Sequence, residues 1–217
     1  MPRPGRLAAI LIGALLPAAA LAHPHVFIDV SLTLRYDAQG RLSAVDEAWA
    51  YDELYSLLML SETGAGDSLG LPQLQAWDAL DANWDPLNGG RLELQTAGGR
   101  IASDPPRPLS TRLEGNRMVS RRSHTLPGPI AGEVPTAIRI YDPTFYVAFS
   151  LPSQVVIQGR ADCQVTRQSG NVQAQTDAYA SALRDALARE LGRTSSDDVQ
   201  VQIGAVGAAS LEVRCGG

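Results

Sequence analysis

From residue 26 the chain alternates without interruption. Val26, Ile28, Val30, Leu32 and Leu34 share one phase; His25, Phe27, Asp29, Ser31, Thr33 and Arg35 share the other. A period of two marks a strand with one buried and one open face. Asp37-Ala38-Gln39-Gly40 is turn chemistry, so Arg41–Tyr51 is predicted to return as the second strand of a hairpin. Asp52 then stands as the cap of a short helix with Leu54, Leu57, Leu58 and Met59 as its apolar stripe, ending near Gly64. After a connector over 64–70, a second helix is predicted from Pro72 to about Trp84, where Pro86 stops it. These helices read as an insertion over about 52–86.

The pattern then returns to short strands. Arg91–Thr96 and 100–102 flank a Gly98-Gly99 turn, and 104–108 is a proline-rich loop. Further strands are predicted at 110–113, 117–126, 137–141, 145–151 and 154–166, some of them separated by 128–135 and by Asp142-Pro143. An amphipathic helix is expected over 177–191, capped by Thr176 and closed by Gly192. Its stripe is Tyr179, Ala182, Leu183, Ala186, Leu187 and Leu191. Two strands end the chain, at 199–203 and Ser210–Cys215. The predicted fold class is mainly β (α+β): a β-sandwich-like domain with a helical insertion and a late amphipathic helix.

The first residues have a different grammar. Arg3 and Arg6 give a positive start, 7–16 is apolar apart from Gly13, and Ala20-Leu21-Ala22 has the small-x-small form of an export cleavage site. Residues 1–22 are therefore predicted to be a cleaved signal peptide, and 23–217 a single periplasmic domain that does not span the membrane. An oxidising compartment favours a disulfide between the two cysteines, Cys163 and Cys215. Closing a loop of that size stabilises by up to roughly 4 kcal/mol in the chain-entropy picture. The net charge of −5 becomes −7 once Arg3 and Arg6 are removed. All 18 basic residues are arginines with no basic run, which excludes nucleic acid as a partner.

The chemistry concentrates at the expected mature end. Cleavage after Ala22 frees the α-amine of His23, which chelates a metal ion together with its own imidazole, and His25 adds a further imidazole two residues on. Nitrogen-rich sites suit Cu(II), Ni(II) and Zn(II). Pro24 has no amide hydrogen, so the square-planar mode that uses deprotonated backbone amides is blocked. A brace of amine, His23 and His25 with one more donor remains. Asp29 shares the face of His25 but lies some 13 Å along an extended strand, so it is expected as an outer or cross-strand partner rather than a ligand. His124 follows Arg121, Arg122 and Ser123, a setting that predicts a surface strand position; it joins the site only if the fold brings it there. Asp78, Asp81 and Asp85 on one helix face are read as a solvated acidic face, and most of Asp46, Glu47, Asp52 and Glu53 around Trp49 and Tyr51 as acids of a strand end or helix cap. No G-x-S-x-G, H-E-x-x-H or phosphate-binding glycine loop occurs in the sequence.

His23-Pro24-His25-Val26-Phe27-Ile28-Asp29 behind the leader, Trp49-Ala50-Tyr51-Asp52 before a helix, the run Ile140-Tyr141-Asp142-Pro143-Thr144-Phe145-Tyr146-Val147-Ala148-Phe149, and a late Cys have a joint meaning. In this order they resemble an uncharacterised bacterial family described as the periplasmic component of an ABC-type transport system, whose members often stand beside nickel/cobalt-type membrane transporters. The mature start alone is also similar to that of periplasmic copper carriers with an N-terminal His on a β-sandwich. The resemblance implies a periplasmic accessory of transition-metal transport, partnered by an inner-membrane metal transporter, with His23 and His25 at the matching positions. A binding protein rather than an enzyme is expected. The competing expectations are a non-metal module that docks on a membrane transporter and, third, a copper redox enzyme using an N-terminal His brace.

Overall fold

The computed structural model describes residues 24–63, 91–101, 103–152, 154–190 and 201–216. The expected leader, His23, the connector, the second inserted helix with its three aspartates, the expected helix end at Leu191 and Gly192, and residues 199–200 of the expected strand at 199–203 lie outside them. Residues 201–203 are described and are not strand.

Strands β1 (Val26–Tyr36) and β2 (Arg41–Tyr51) form the expected antiparallel hairpin. Its turn is set by Asp37, whose carboxylate accepts the backbone N–H groups of Gln39 and Arg41, each at 2.9 Å. These bonds, the Arg41 amide foremost, hold the Asp37 carboxyl below its ordinary range. Helix α1 (Glu53–Glu62) follows directly, with Asp52 as its cap: one carboxylate oxygen accepts the Tyr55 N–H at 2.8 Å. Most of the expected stripe is turned out: Leu54, Leu57 and Leu58 are exposed, Met59 alone of the four packs partly buried against the core, and Ser56 and Leu60 are buried. Ser56 Oγ accepts the Met118 N–H at 3.0 Å and donates to the Asp52 carbonyl, and this contact decides which way the helix is turned.

The remaining strands are β3 (Arg91–Thr96), β4 (Gly99–Ile101), β5 (Arg107–Glu114), β6 (Arg117–Ala131), β7 (Thr136–Tyr141), β8 (Val147–Ser150), β9 (Val156–Gln158), β10 (Cys163–Gln168) and β11 (Ser210–Cys215), with helix α2 (Val172–Glu190) between the last two. Several boundaries differ from the sequence reading. β5 runs through Pro108, which a strand at the rim of its sheet tolerates, with the register shifting between Pro108 and Ser110. β6 continues past Pro127 and Pro129 because Leu42 pairs with Ile130 and Ala44 with Thr125. Residues 126–129 therefore bulge out opposite Ser43, where no ladder donor is needed. The single strand expected over 154–166 is two strands. Helix α2 begins five residues early: Asn171 Oδ1 accepts the Ala174 N–H at 2.9 Å, while Thr176 lies within the helix and donates its hydroxyl to the Val172 carbonyl.

Two sheets result. The first has the order β5-β6-β2-β1-β8, with β9 beside β1 on the same side as β8; the second has the order β10-β11-β7-β3-β4. The chain is mainly β with two helices among the described residues. Ile28, Val30, Leu32 and Trp49 of the first sheet and Leu94, Ile138, Leu211 and Val213 of the second belong to one apolar cluster, so the two buried faces share a core. The Cys163–Cys215 disulfide forms as expected, between residues directly opposite in the β10–β11 ladder. Beside it Arg160 donates to the Gly40 carbonyl, Glu133 and Asp162, which gathers two turns and the carboxyl-terminal strand at one corner.

Candidate functional site

β1 starts from a fixed point. The N–H groups of His25 and Val26 both donate to the Tyr146 carbonyl, at 2.8 and 3.2 Å, where the parallel β1–β8 pairing begins. The His25 imidazole lies against the Tyr146 ring, centroids 4.8 Å apart and tilted by 34°. His25, Phe27 and Asp29 lie on the outer face, all exposed, as the alternation requires. Asp52 ties this segment to α1: its second carboxylate oxygen accepts the Phe27 N–H, and its own N–H donates to the Phe27 carbonyl, both at 2.8 Å. Asp29 is bound by Arg117 at 2.7 Å. That guanidinium reaches across β2 from β6 and also donates to the Tyr51 and Ala50 carbonyls. The Asp29 carboxylate is thus held toward Arg117, as a cross-strand partner.

His124 is elsewhere. It pairs with Val45, which pairs with Leu34, so it stands nine residues along β1 from His25, roughly 30 Å away. It is 7% exposed, in place of the expected surface position. The reason is phase: Val45, Glu47, Trp49 and Tyr51 face the interior from β2, and Met118, Ser120, Arg122 and His124 face it from β6. Two charged residues and a histidine therefore sit inside. His124 Nε2 is 3.6 Å from Glu47 Oε2, and the Arg122 guanidinium lies over the Trp49 ring, 3.8 Å from its centroid. Both Glu47 oxygens and both His124 nitrogens are buried without a hydrogen bond. Sequence reasoning grouped Glu47 with acids of a strand end or helix cap; the signal that finds it is its position in the Val45–Tyr51 alternation.

The third feature is a groove of about 340 Å³ at the open edge by β8, lined by Phe27 and Asp29 from β1, Ala148 from β8, Arg167 from β10, and Val172 and Gln175 from α2. The loop before β11 closes one wall. Gly207 has φ +65°, and a Cβ there would sit 2.5 Å from the Asn171 carbonyl oxygen, so only glycine lets the loop approach α2 this closely. Among the described residues, one group of three donors of the metal-binding types lies close together: Asp162 with Cys163 and Cys215, whose sulfurs are bonded to each other. The carboxyl of Asp162 is pulled down to about 2, chiefly by its hydrogen bonds with Arg160. No helix among the described residues is long and apolar enough to cross a membrane.

The chain is similar over nearly its full length to an uncharacterized protein of Haemophilus influenzae (strain ATCC 51907 / DSM 11121 / KW20 / Rd). The two are 24% identical over 211 residues, covering 95% of this chain and 97% of the relative. Residues 8–215, which take in the His25 anchor, the Glu47–His124 interior and the disulfide, match the model of one family, and the chain belongs to that family, the proteins of unknown function DUF1007.

Proposed function

We propose that this protein is a periplasmic transition-metal-binding accessory of a metal transport system, taking a divalent ion at a mature amino end that begins with His23. The observation that carries the reading is the placement of His25, whose imidazole is exposed while its own N–H and that of Val26 tie the backbone to the Tyr146 carbonyl at the entry of a core strand. A ligand anchored in this way is already positioned before the ion arrives, which lowers the ordering cost of binding. The donor set is the His23 α-amine, the His23 imidazole and the His25 imidazole, with Pro24 forbidding backbone amide ligation between them. The ion is cargo: Zn(II), Ni(II) or Cu(II) by the nitrogen-rich character of the donors. An amine end that brings two donors beside the separately anchored His25 suits transfer to and from an inner-membrane transporter, because one donor can leave while another holds.

The deciding experiment is titration of the exported, cleaved protein with Zn(II), Ni(II) and Cu(II), alongside a His23→Ala/His25→Ala double variant. One equivalent should bind to the first and not to the second; equal affinity overturns the reading. A mature form that begins at any residue other than His23, seen by mass spectrometry, overturns it as well.

One observation favours a second reading, a metal-independent module that docks on a membrane transporter. Leu54, Leu57 and Leu58 share one face of α1 and are 79, 65 and 49% exposed. This reading predicts no stoichiometric metal and full function with an extra residue ahead of His23.

A further inference from the structure

The corner that carries the disulfide holds three donors that the bond between the sulfurs keeps out of use. Cys163 Sγ, Cys215 Sγ and a carboxylate oxygen of Asp162 lie within 4.8 Å of one another. Their placement does not depend on the sulfur–sulfur bond. β10 and β11 are paired from Cys163–Cys215 to Gln168–Ser210, and β7 holds β11 on its other side. The Cys215 N–H donates to the Gly132 carbonyl at 2.7 Å, and the Gly216 N–H to the Asp162 carbonyl at 3.2 Å. Both Asp162 carboxylate oxygens accept from Arg160, and each keeps a lone pair for a further partner. β10 is the rim strand of its sheet and Cys163 is partly exposed, which leaves the bond open to a reductant at the edge. A cavity of about 440 Å³ adjoins it, with Asp162, Cys163 and Gly216 in its lining.

We propose that reduction of the Cys163–Cys215 bridge turns this corner into a Zn(II) site, with both thiolates and the Asp162 carboxylate as ligands and a fourth position left open. A dithiol supplies the two electrons: it is oxidised to its own disulfide, and its two protons pass to Cys163 and Cys215. Zn(II) then displaces those protons. The sulfurs part from bonding distance to the roughly 3.7 Å that separates two thiolates on one tetrahedral Zn(II), a shift that side-chain rotation on directly opposed residues provides. Thiolate ligands in tetrahedral array select Zn(II), in contrast to a site built from nitrogen donors. Arg160 orients the Asp162 carboxylate from outside, as a hydrogen-bonded neighbour does for a metal-bound carboxylate. The open position lets an incoming ligand take the ion away. The site is separate from the amino end and does not rest on the reading given for it.

The test uses the full processed chain, reduced with a dithiol that is then removed without air, and titrated with Co(II) followed by Zn(II). Reduced protein should take up one equivalent of Co(II) more than oxidised protein and show a thiolate-to-cobalt charge-transfer band, which amine and imidazole donors do not give. Zn(II) should displace the cobalt and abolish the band. Asp162→Asn should weaken Zn(II) binding to reduced protein by about tenfold or more, while Glu133→Gln, which removes the other carboxylate partner of Arg160, should stay within about twofold of wild type. Reduced protein that lacks the extra equivalent or the band overturns the proposal. Equal Zn(II) affinity in wild type and Asp162→Asn overturns it as well, and that is also the result a reduced chain that had lost its fold would give. The band in reduced protein, with no metal taken up by oxidised protein, supports this site and sinks the amino-end reading instead.

Discussion

The amino-terminal entry of β1 and the interior of the β2–β6 ladder belong to the same sheet and treat histidine in opposite ways. At the entry, the backbone of His25 is fixed and its side chain is exposed. In the ladder, His124 is enclosed with Glu47 and Arg122, and four polar atoms of the His124–Glu47 pair lack hydrogen bonds. The first arrangement leaves the imidazole accessible at little cost to the fold, because it lies on the open face against the Tyr146 ring and is not enclosed by the core. The second is a strain on the fold, since burying charge without full pairing is unfavourable by several kcal/mol. The contrast predicts that the exposed end can be altered at little cost to stability, whereas removing a single member of the enclosed cluster is costly.

The largest expected effect sharpens that contrast from the buried side. Glu47→Ala leaves the enclosed Arg122 facing a void and should lower unfolding free energy by about 3 kcal/mol in urea titrations. The triple change Glu47→Leu, Arg122→Met, His124→Leu should return most of that loss, because an apolar layer needs no partners. If the triple variant is as unstable as the single one, the cluster is stabilising the fold in its own right and the contrast fails. Replacing both cysteines by serine should cost about 2–4 kcal/mol in non-reducing urea titrations, with metal uptake retained. Asp162 gives a smaller effect confined to acid. Its folded pKa is depressed to about 2, so its contribution is complete above the ordinary carboxylate range and fades as pH falls from about 4 towards 2. Asp162→Asn should flatten the stability profile across that window and leave it unchanged near neutrality. The smallest effect belongs to the exposed end: His25→Ala should change stability by no more than about 0.5 kcal/mol while abolishing stoichiometric metal uptake. A large stability loss there would remove the contrast.

Much of the architecture was legible where local pattern and tertiary demand agree. The β1–β2 hairpin follows from alternation plus the Asp37–Gly40 turn, the Asp52 cap from its place before an apolar run, and the Cys163–Cys215 bridge from having two cysteines in a chain expected to be exported. The misreadings arise where a distant contact overrides the local signal. Leu54, Leu57 and Leu58 of the α1 stripe stay outside because Ser56 is drawn in by the Met118 N–H. Pro127 and Pro129 do not end β6, because the chain bulges around them. Asn171 and Thr176 are both good capping residues, and only the docking of the Gly207 loop against Asn171 selects between them. For the candidate site, the exposure of His25 was written in the phase of β1. The enclosure of His124 was written in β6 but masked by the charged run Arg121–Arg122. The groove brings together β1, β8, β10 and α2, so no local stretch of sequence announces it.

The parallel pairing of β1 with β8 has a kinetic consequence. Val26 is matched to Val147 and Thr33 to Val156, so the first strand to be synthesised gains its second neighbour only after some 120 further residues have appeared. Pairing across such a separation is slow, because a long loop must close before any contact repays it. During that interval β1 has only its hairpin partner, and its His25 end is not yet clamped to Tyr146. In the export proposed above, the amino-terminal segment would therefore be open to a processing enzyme before β8 and β9 lock it into place.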